Sequence, residues 1–423
     1  GQCFDTGPAA PAEFRVVRWS LGGDDRMIFG KRVGALALLA SSMSCQGTDS
    51  SGARFSSVEH GGVTTAHSQS PRWGQVQPSD RLLQFGLASG PEHLLFDRVS
   101  GVIRLEDRAI AVANRGSNTV RVFDDEGQLL DEFGGAGDGP SEFTLLRAVL
   151  RCQRGIITTL DWNYRQVRFT RDGELVDTWL MSLPNERLGV YRMSCNRMGQ
   201  HVATGWGNAG WLDNPMGSYH AEGGLYVARS PTGPFEQIGT TPVADRARLA
   251  EGEYPHPFGR TTLVAAIEDG FVLGTAEDYA ITVHTLDGDT SLIVRWDGPN
   301  RALDDEDVEA YLGWRLAGAE EAEHPAIRQQ VSEFQLPESL PAYSDIRVGP
   351  GGVVWVRAFH APWRPSRRWW GFLPNGEWAW ELELEPDFEA SEFGEGEVLG
   401  VATDELGVEA VRGYRVHLPR DSI

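Results

Sequence analysis

The feature that most constrains this chain is a unit that recurs along it. Residues Ala111 to Leu129 align with Thr159 to Leu175 with one gap, and each copy reads as strand, polar turn, strand, glycine hairpin, strand. Val120 and Val122 in one copy, and Val167 and Phe169 in the other, alternate with polar neighbours, as burial of one strand face requires. Glu126-Gly127 and Asp172-Gly173 place a residue that accepts positive φ where a tight hairpin needs one. Looser copies follow over Gln200 to Gly239, Gly270 to Trp296, Gly352 to Leu384 and Val398 to Leu418. The turns at Asn114, Asp161, Trp206, Asp278, His360 and Asp404 mark six units. A unit of this size cannot bury its own apolar face, so neighbours must stack on one another. The last copy is short of a strand, and Asp80 to Phe85 is a segment that can supply it; closure of this kind removes exposed sheet edges. The 50 Gly and 23 Pro, without a collagen period, suit many short strands, and 14 Trp, 18 Phe and 9 Tyr supply a large core.

Three stretches carry a family likeness. They are the glycine-rich run Phe133 to Phe143 with Pro140 and Glu142, the pair Asn163 and Arg165 ahead of Val167, and the closing segment Asp404 to Val416. Over residues 73 to 418 the chain resembles the six-bladed β-propellers of NHL-repeat type, in particular an exported bacterial branch. The expected fold is therefore all-β, a six-bladed β-propeller spanning 73–423. One segment interrupts the pattern. Leu303 to Trp314 begins with acids suited to a helix amino end and spaces apolar residues at 308, 311 and 312, and Pro325 can open a second short helix. Residues 301–336 are read as a short helical insertion between blades four and five, which caps a face, binds a partner or packs against the propeller.

Lys31 and Arg32 precede an apolar stretch, Val33 to Ala40, and then small residues up to Cys45. This is the order of a secretory signal, read over 27–45. Ser42 to Cys45 resembles a lipoprotein cleavage box, with Ser42 where Leu usually stands, so lipidation of Cys45 and ordinary cleavage nearby both remain open. The expected destination is export, to the periplasm or to the outer membrane through a lipid anchor. Residues 1–26 are read as upstream sequence outside the fold, and the Ser, Gly and Thr-rich 46–72 as a flexible tether. Past the signal, Cys152 and Cys195 remain; a structural disulfide and two buried thiols both fit their spacing.

With 38 basic and 60 acidic residues the net charge is −22, which argues against nucleic acid as a partner. No Gly-x-Ser-x-Gly elbow, His-Glu-x-x-His pair or phosphate loop is present. Gly134 to Gly139 precedes no helix that could receive a phosphate and reads as a turn between blades. His256, His284, His324, His360 and His417 are scattered, which gives a histidine metal cluster no support and reads as mostly surface placement.

What remains is the set of turns after the second strand of each unit, which in a propeller converge at one mouth of the central channel. Asn114, Arg115, Asp161, Trp162, Asn163, Trp206, Glu277, Asp278, Tyr279, Arg357, His360, Trp363, Asp404 and Glu405 would there form a polar, aromatic-lined concavity for a small ligand or peptide. For any one Asp or Asn the competing reading is stabilisation of its own turn. Trp363 to Trp370, with Arg364, Arg367 and Arg368, is the one basic, aromatic stretch in an acidic chain; it suits glycans, anionic groups or a partner's acidic surface, or else a blade-five hairpin. The preferred function is a non-catalytic exported binding propeller, monomeric, with no cofactor, whose partner is a small ligand or an envelope protein. The resemblance implies an alternative, since NHL-like and gluconolactonase-like propellers include lactonases and lyases using a divalent cation. In that alternative Asp161, Glu277, Asp278 and Asp404 supply oxygens to Ca²⁺ and His360 is the general base. It requires those carboxylates to face one another.

Overall fold

The computed structural model describes residues 54–184, 189–206 and 214–419. The upstream 1–26, the signal 27–45 with Cys45, and 46–53 of the expected tether lie outside the described residues.

The described chain is mostly strand, arranged in small sheets. Sheet I holds Val99–Arg104, Ile110–Asn114, Thr119–Phe123 and Leu129–Gly134 in chain order. Sheet II repeats this with Leu146–Gln153, Ile156–Asp161, Arg165–Thr170 and Leu175–Leu180. Sheet III begins Gly189–Cys195 and His201–Trp206, then lengthens into the ribbon Gly217–Ala228 and Glu236–Leu249, with Gly252–Pro255 on its edge. Sheet IV contains Leu263–Ile267, Gly270–Gly274, Ala280–His284 and Thr290–Trp296. Sheet V contains Tyr343–Val348, Val354–Ala358, Arg368–Phe372 and Trp378–Glu383, and sheet VI Phe388–Phe393, Glu397–Thr403 and Glu409–Val416. The first strand of each sheet lies beside those of two others, in the order I to VI and back to I. This arrangement is consistent with a propeller fold.

Local sequence explains the repetition. Gly127, in the hairpin before the last strand of sheet I, has φ +79°, and a Cβ there would meet Phe85 Cβ at 2.8 Å. Gly173 is its counterpart in sheet II, with φ +78° and Phe133 Cδ1 at 2.7 Å from a built Cβ. Each glycine thus satisfies a left-handed turn and seats an aromatic ring from the outer strand of the preceding sheet. Apolar side chains pack between neighbouring sheets: Phe85, Val112 and Val401 between VI and I, Val122, Phe143 and Phe169 between I and II, and Trp296, Trp370 and Phe372 between IV and V.

The amino-terminal segment follows the outer edges. Pro78–Phe85 runs antiparallel to Glu409–Val416 and gives sheet VI its fourth strand, in the place read for Asp80 to Phe85. Gln75–Val76 pairs in parallel with Trp378–Glu383 of sheet V. The expected tether is corrected here. Phe55–His60 and Val63–Ser68 form a hairpin, and its second strand pairs in parallel with Thr290–Trp296 of sheet IV. Unpaired backbone groups on that edge gain partners, and Ala66 is fully buried.

Between Trp296 and Tyr343 lie helices α1 (Asp305–Ala317) and α2 (His324–Glu333). The Asp304 side chain accepts from the Asp307 backbone at 3.0 Å and Asp307 reaches back to Asp304, a capping box that starts α1 at its acidic run. Pro325 lies in the first turn of α2. Tyr311, Ile327 and Val331 pack with Phe258, Leu340, Phe359 and Trp363. Phe334, just past α2, packs on Ala247 and Leu249 of the sheet III ribbon.

Candidate functional site

The turns after the second strands hold most of the expected site residues, and most of those side chains serve the turn itself. In sheet I the buried Asn114 accepts from the Asp97 backbone at 2.9 Å and donates to Ser117 Oγ at 2.8 Å. Arg115, beside it, is half-buried. In sheet II the fully buried Asp161 accepts from the backbone N–H groups of Asn163 and Arg165, and its second oxygen accepts from Arg165 Nε at 3.0 Å. Arg165 also donates to the carbonyls of Gly139 and Glu142, so it clamps the glycine-rich loop between sheets I and II. Asn163 donates to Thr144 Oγ1, and Trp162 is exposed with Arg147 over its ring at 5.3 Å. In sheet III, Trp206 is covered by Arg246 at 4.6 Å, which is itself held by Glu253 at 2.9 Å. In sheet VI, Asp404 accepts from the Leu406 and Val408 backbones, and Glu405 is exposed.

The carboxylates needed for a cation do not meet. Asp161 is engaged by Arg165, Glu277 by Arg260 at 2.9 Å, and Asp404 by its own turn; Asp278 is exposed and 3.9 Å from Arg301. Among the described residues the His, Cys, Asp and Glu side chains close enough to share an ion are Cys152, Cys195 and His201, and the two sulfurs there are bonded to each other. The disulfide joins the first strands of sheets II and III, which resolves the two readings of these cysteines. His360 is not poised as a base either. Its Nδ1 accepts from the Ser366 backbone at 3.1 Å, and burial, helped by the Arg357 charge, holds its pKa below the ordinary histidine value. Arg357 is buried and committed to Glu389 and the Ser366 carbonyl. Trp363 belongs to the helices, with its ring 5.1 Å from Phe258 and 5.9 Å from Tyr311. Nor are the scattered histidines all superficial, because His256 is buried with Nε2 3.0 Å from the Gln335 carbonyl.

One expected residue, Tyr279, does line a concavity. A groove of about 430 Å³ lies between the end of sheet IV, residues 340–342 and the turn of sheet V. Tyr279, Arg301, Arg364, Arg367, Arg368 and Trp370 face it, with Glu383 as its one acid. The Tyr279 hydroxyl donates to the Pro299 carbonyl at 2.9 Å. Burial pushes its pKa up to about 12, against the opposing charges of Arg301 and Arg368, so it stays a neutral phenol. Arg364 is committed to the buried Asp307 of α1, and Arg368 pairs with Glu381 at 3.4 Å. Arg301 donates to the Leu340 carbonyl at 2.7 Å and lies 5.4 Å from the Tyr279 ring. Arg367 is exposed and has no side-chain hydrogen bond or ion pair among the described residues. A larger depression of about 490 Å³ at Glu395, Gly396 and residues 416–419 offers only Glu395 and His417 as titratable side chains.

The sequence singled out Arg364, Arg367 and Arg368 as a basic stretch but placed none of them in the site, and it missed Arg301. The signal for Arg301 was present only as a lone cation ahead of an acidic run.

No family model matches this chain, and no curated protein does. Solved structures do resemble it. A member of the DUF4221 family from Bacteroides vulgatus aligns with a TM-score of 0.50 at 10% identity, covering 82% of this chain and 99% of that one. A candidate exported protein from Bacteroides fragilis gives a TM-score of 0.43 at 10% identity, with 82% and 99% covered. The calcium-binding protein regucalcin from Agrobacterium tumefaciens gives 0.40 at 7% identity, with 82% and 97% covered. These neighbours are β-propeller-type proteins. At such identities the likeness concerns the fold alone. Among the described residues no helix is long and apolar enough to cross a membrane.

Proposed function

We propose that this is an exported, non-catalytic binding protein: a six-bladed β-propeller of NHL type with α1 and α2 inserted between blades four and five, taking a small ligand in the groove beside Tyr279. The carrying observation is that groove, where Arg301 and Arg367 keep donors directed at no acid within 3.5 Å. The cyclic order of the first strands supports six blades. A ring of sheets fixes the groove walls before a ligand arrives, which lowers the ordering cost of binding. Its size falls in the range of small-molecule sites, roughly 300–1,000 Å³. The cation-dependent reading loses its support because each carboxylate it needs already has another partner or stands apart.

Ser366→Trp, which fills the groove from its wall while keeping the backbone bond to His360, tests the site. The purified protein is screened against a small-molecule library by ligand-observed NMR. Hits on the unmodified chain that vanish in Ser366→Trp support the groove. Hits that bind both chains equally, or no hits, overturn it. Export rests on the 27–45 pattern, and intact-mass measurement of the mature chain is expected to place its first residue at a lipidated Cys45 or close to it.

A further inference from the structure

We infer that the groove recognises its ligand through an oxyanion: a small organic molecule with a carboxylate, sulfate or phosphate beside an apolar or ring-shaped part. This rests on the groove being the binding site. Four arginines and one glutamate line it, in a chain whose net charge is −22, so the local excess of cations runs against the composition of the whole. Two of the four are spoken for: Arg364 holds Asp307, and Arg368 reaches Glu381. Arg301 is steadied by the Leu340 carbonyl and its nearest acid, the exposed Asp278, is 3.9 Å away. Arg367 has no side-chain partner among the described residues.

A guanidinium presents a planar fork of N–H donors that matches an oxyanion and accepts nothing. A neutral ligand filling this space would strip water from Arg367 and Arg301 without replacing it, and a cation would be repelled. An oxyanion restores the lost hydrogen bonds with charge-assisted ones. The other wall sets the remainder of the ligand. Tyr279 keeps its proton and spends it on Pro299, so its half-buried ring offers apolar surface rather than a further donor, and the buried Trp370, edge-on behind it with ring centroids 5.6 Å apart, holds that ring in place. A concavity of about 430 Å³ suits a small molecule rather than the acidic face of a protein.

Isothermal titration calorimetry on the full chain distinguishes the possible sources of the anion. The probes are a galacturonate disaccharide, a sulfated monosaccharide and a sugar phosphate, each against its neutral parent sugar. At least one anion is expected to bind while its parent does not. Arg367→Gln is expected to weaken that binding by roughly tenfold to a hundredfold, and Arg301→Gln likewise, with Arg301→Lys recovering part. Arg147→Gln, which alters the cation over Trp162 in sheet II, is expected to leave affinity unchanged. Arg367→Gln removes no hydrogen bond or ion pair among the described residues, so its melting temperature should match the parent and a loss of affinity cannot be laid to misfolding. Parent sugars binding as well as the anions, full affinity in Arg367→Gln, or no anion binding at millimolar concentration would each overturn the inference. In the first two cases the groove still stands if Ser366→Trp abolishes binding, whereas binding that survives Ser366→Trp removes the groove as well.

Discussion

Arg165 Nε donates to Asp161 Oδ2 at 3.0 Å, while Asp161 Oδ1 accepts from the Asn163 and Arg165 backbone N–H groups. One buried carboxylate therefore closes its turn and orients the guanidinium that holds the glycine-rich loop between sheets I and II. Removing it leaves a largely buried cation with only carbonyl partners. Asp161→Ala is expected to cost about 3 kcal/mol, the scale for breaking a buried pair from one side. Asp161→Asn, which can still accept the two turn bonds, should cost less. Urea unfolding midpoints check both. Equal midpoints for Asp161→Ala and the parent would show that Arg165 does not depend on this carboxylate.

The disulfide between Cys152 and Cys195 closes a loop with a sequence separation of 43 and ties sheet II to sheet III. Loop-closure entropy for such a span amounts to about 4 kcal/mol, lost when the link is removed. The Cys152→Ala, Cys195→Ala double variant is expected to melt well below the parent, and reductant should lower the parent to the same level while leaving the variant alone. A parent whose melting point ignores reductant under unfolding conditions would contradict this.

Beside that disulfide, the buried His201 is held neutral, its pKa lowered to about 4 by burial. The unfolded chain takes up a proton near pH 6.5 and the folded chain near 4. The stabilising contribution is therefore complete above about pH 6.5 and is lost as pH falls through 4, about 3 kcal/mol over the window. His256 and His284 are also lowered, chiefly by burial, and act in the same direction. Unfolding midpoints between pH 7.5 and 4.5 should fall for the parent and fall less steeply for His201→Gln. Parallel slopes would mean that His201 is protonated equally in both states.

What could be read from the sequence was local. Gly127 and Gly173 announce hairpins because a left-handed turn and an adjoining strand lie within a few residues, and the acidic run after Leu303 marks the start of α1 in the same way. The hairpin of residues 55–68 could not be read so. Its Ser and Thr content matches a linker, and what makes it strand is the outer edge of sheet IV, where Thr64 lies opposite Leu292. Asp161 was offered to a cation because a carboxylate at a turn gives one sequence signal whether it faces a metal or Arg165. The groove stayed hidden because Arg301 and Arg367 line one groove only once the segment between them has folded into α1, α2 and the first two strands of sheet V.

Trp363 illustrates a side chain whose type suggested binding and whose position assigns it to packing. Its ring contacts Phe258, Tyr311 and Phe359 and joins the turn of sheet V to α1. Truncation should open a cavity under the helices at a cost of about 3 kcal/mol, the lower end for a large aromatic because Trp363 is only partly buried. Because α1 also supplies Asp307 to Arg364 on the groove wall, the loss should reach the ligand site. Trp363→Ala is therefore expected to become sensitive to limited proteolysis within residues 301–336 and to bind groove ligands more weakly, while the disulfide-linked sheets II and III keep their hydrogen-exchange protection. Retention of the parent's cleavage pattern would show that Phe258 and Leu340 hold the helices without it.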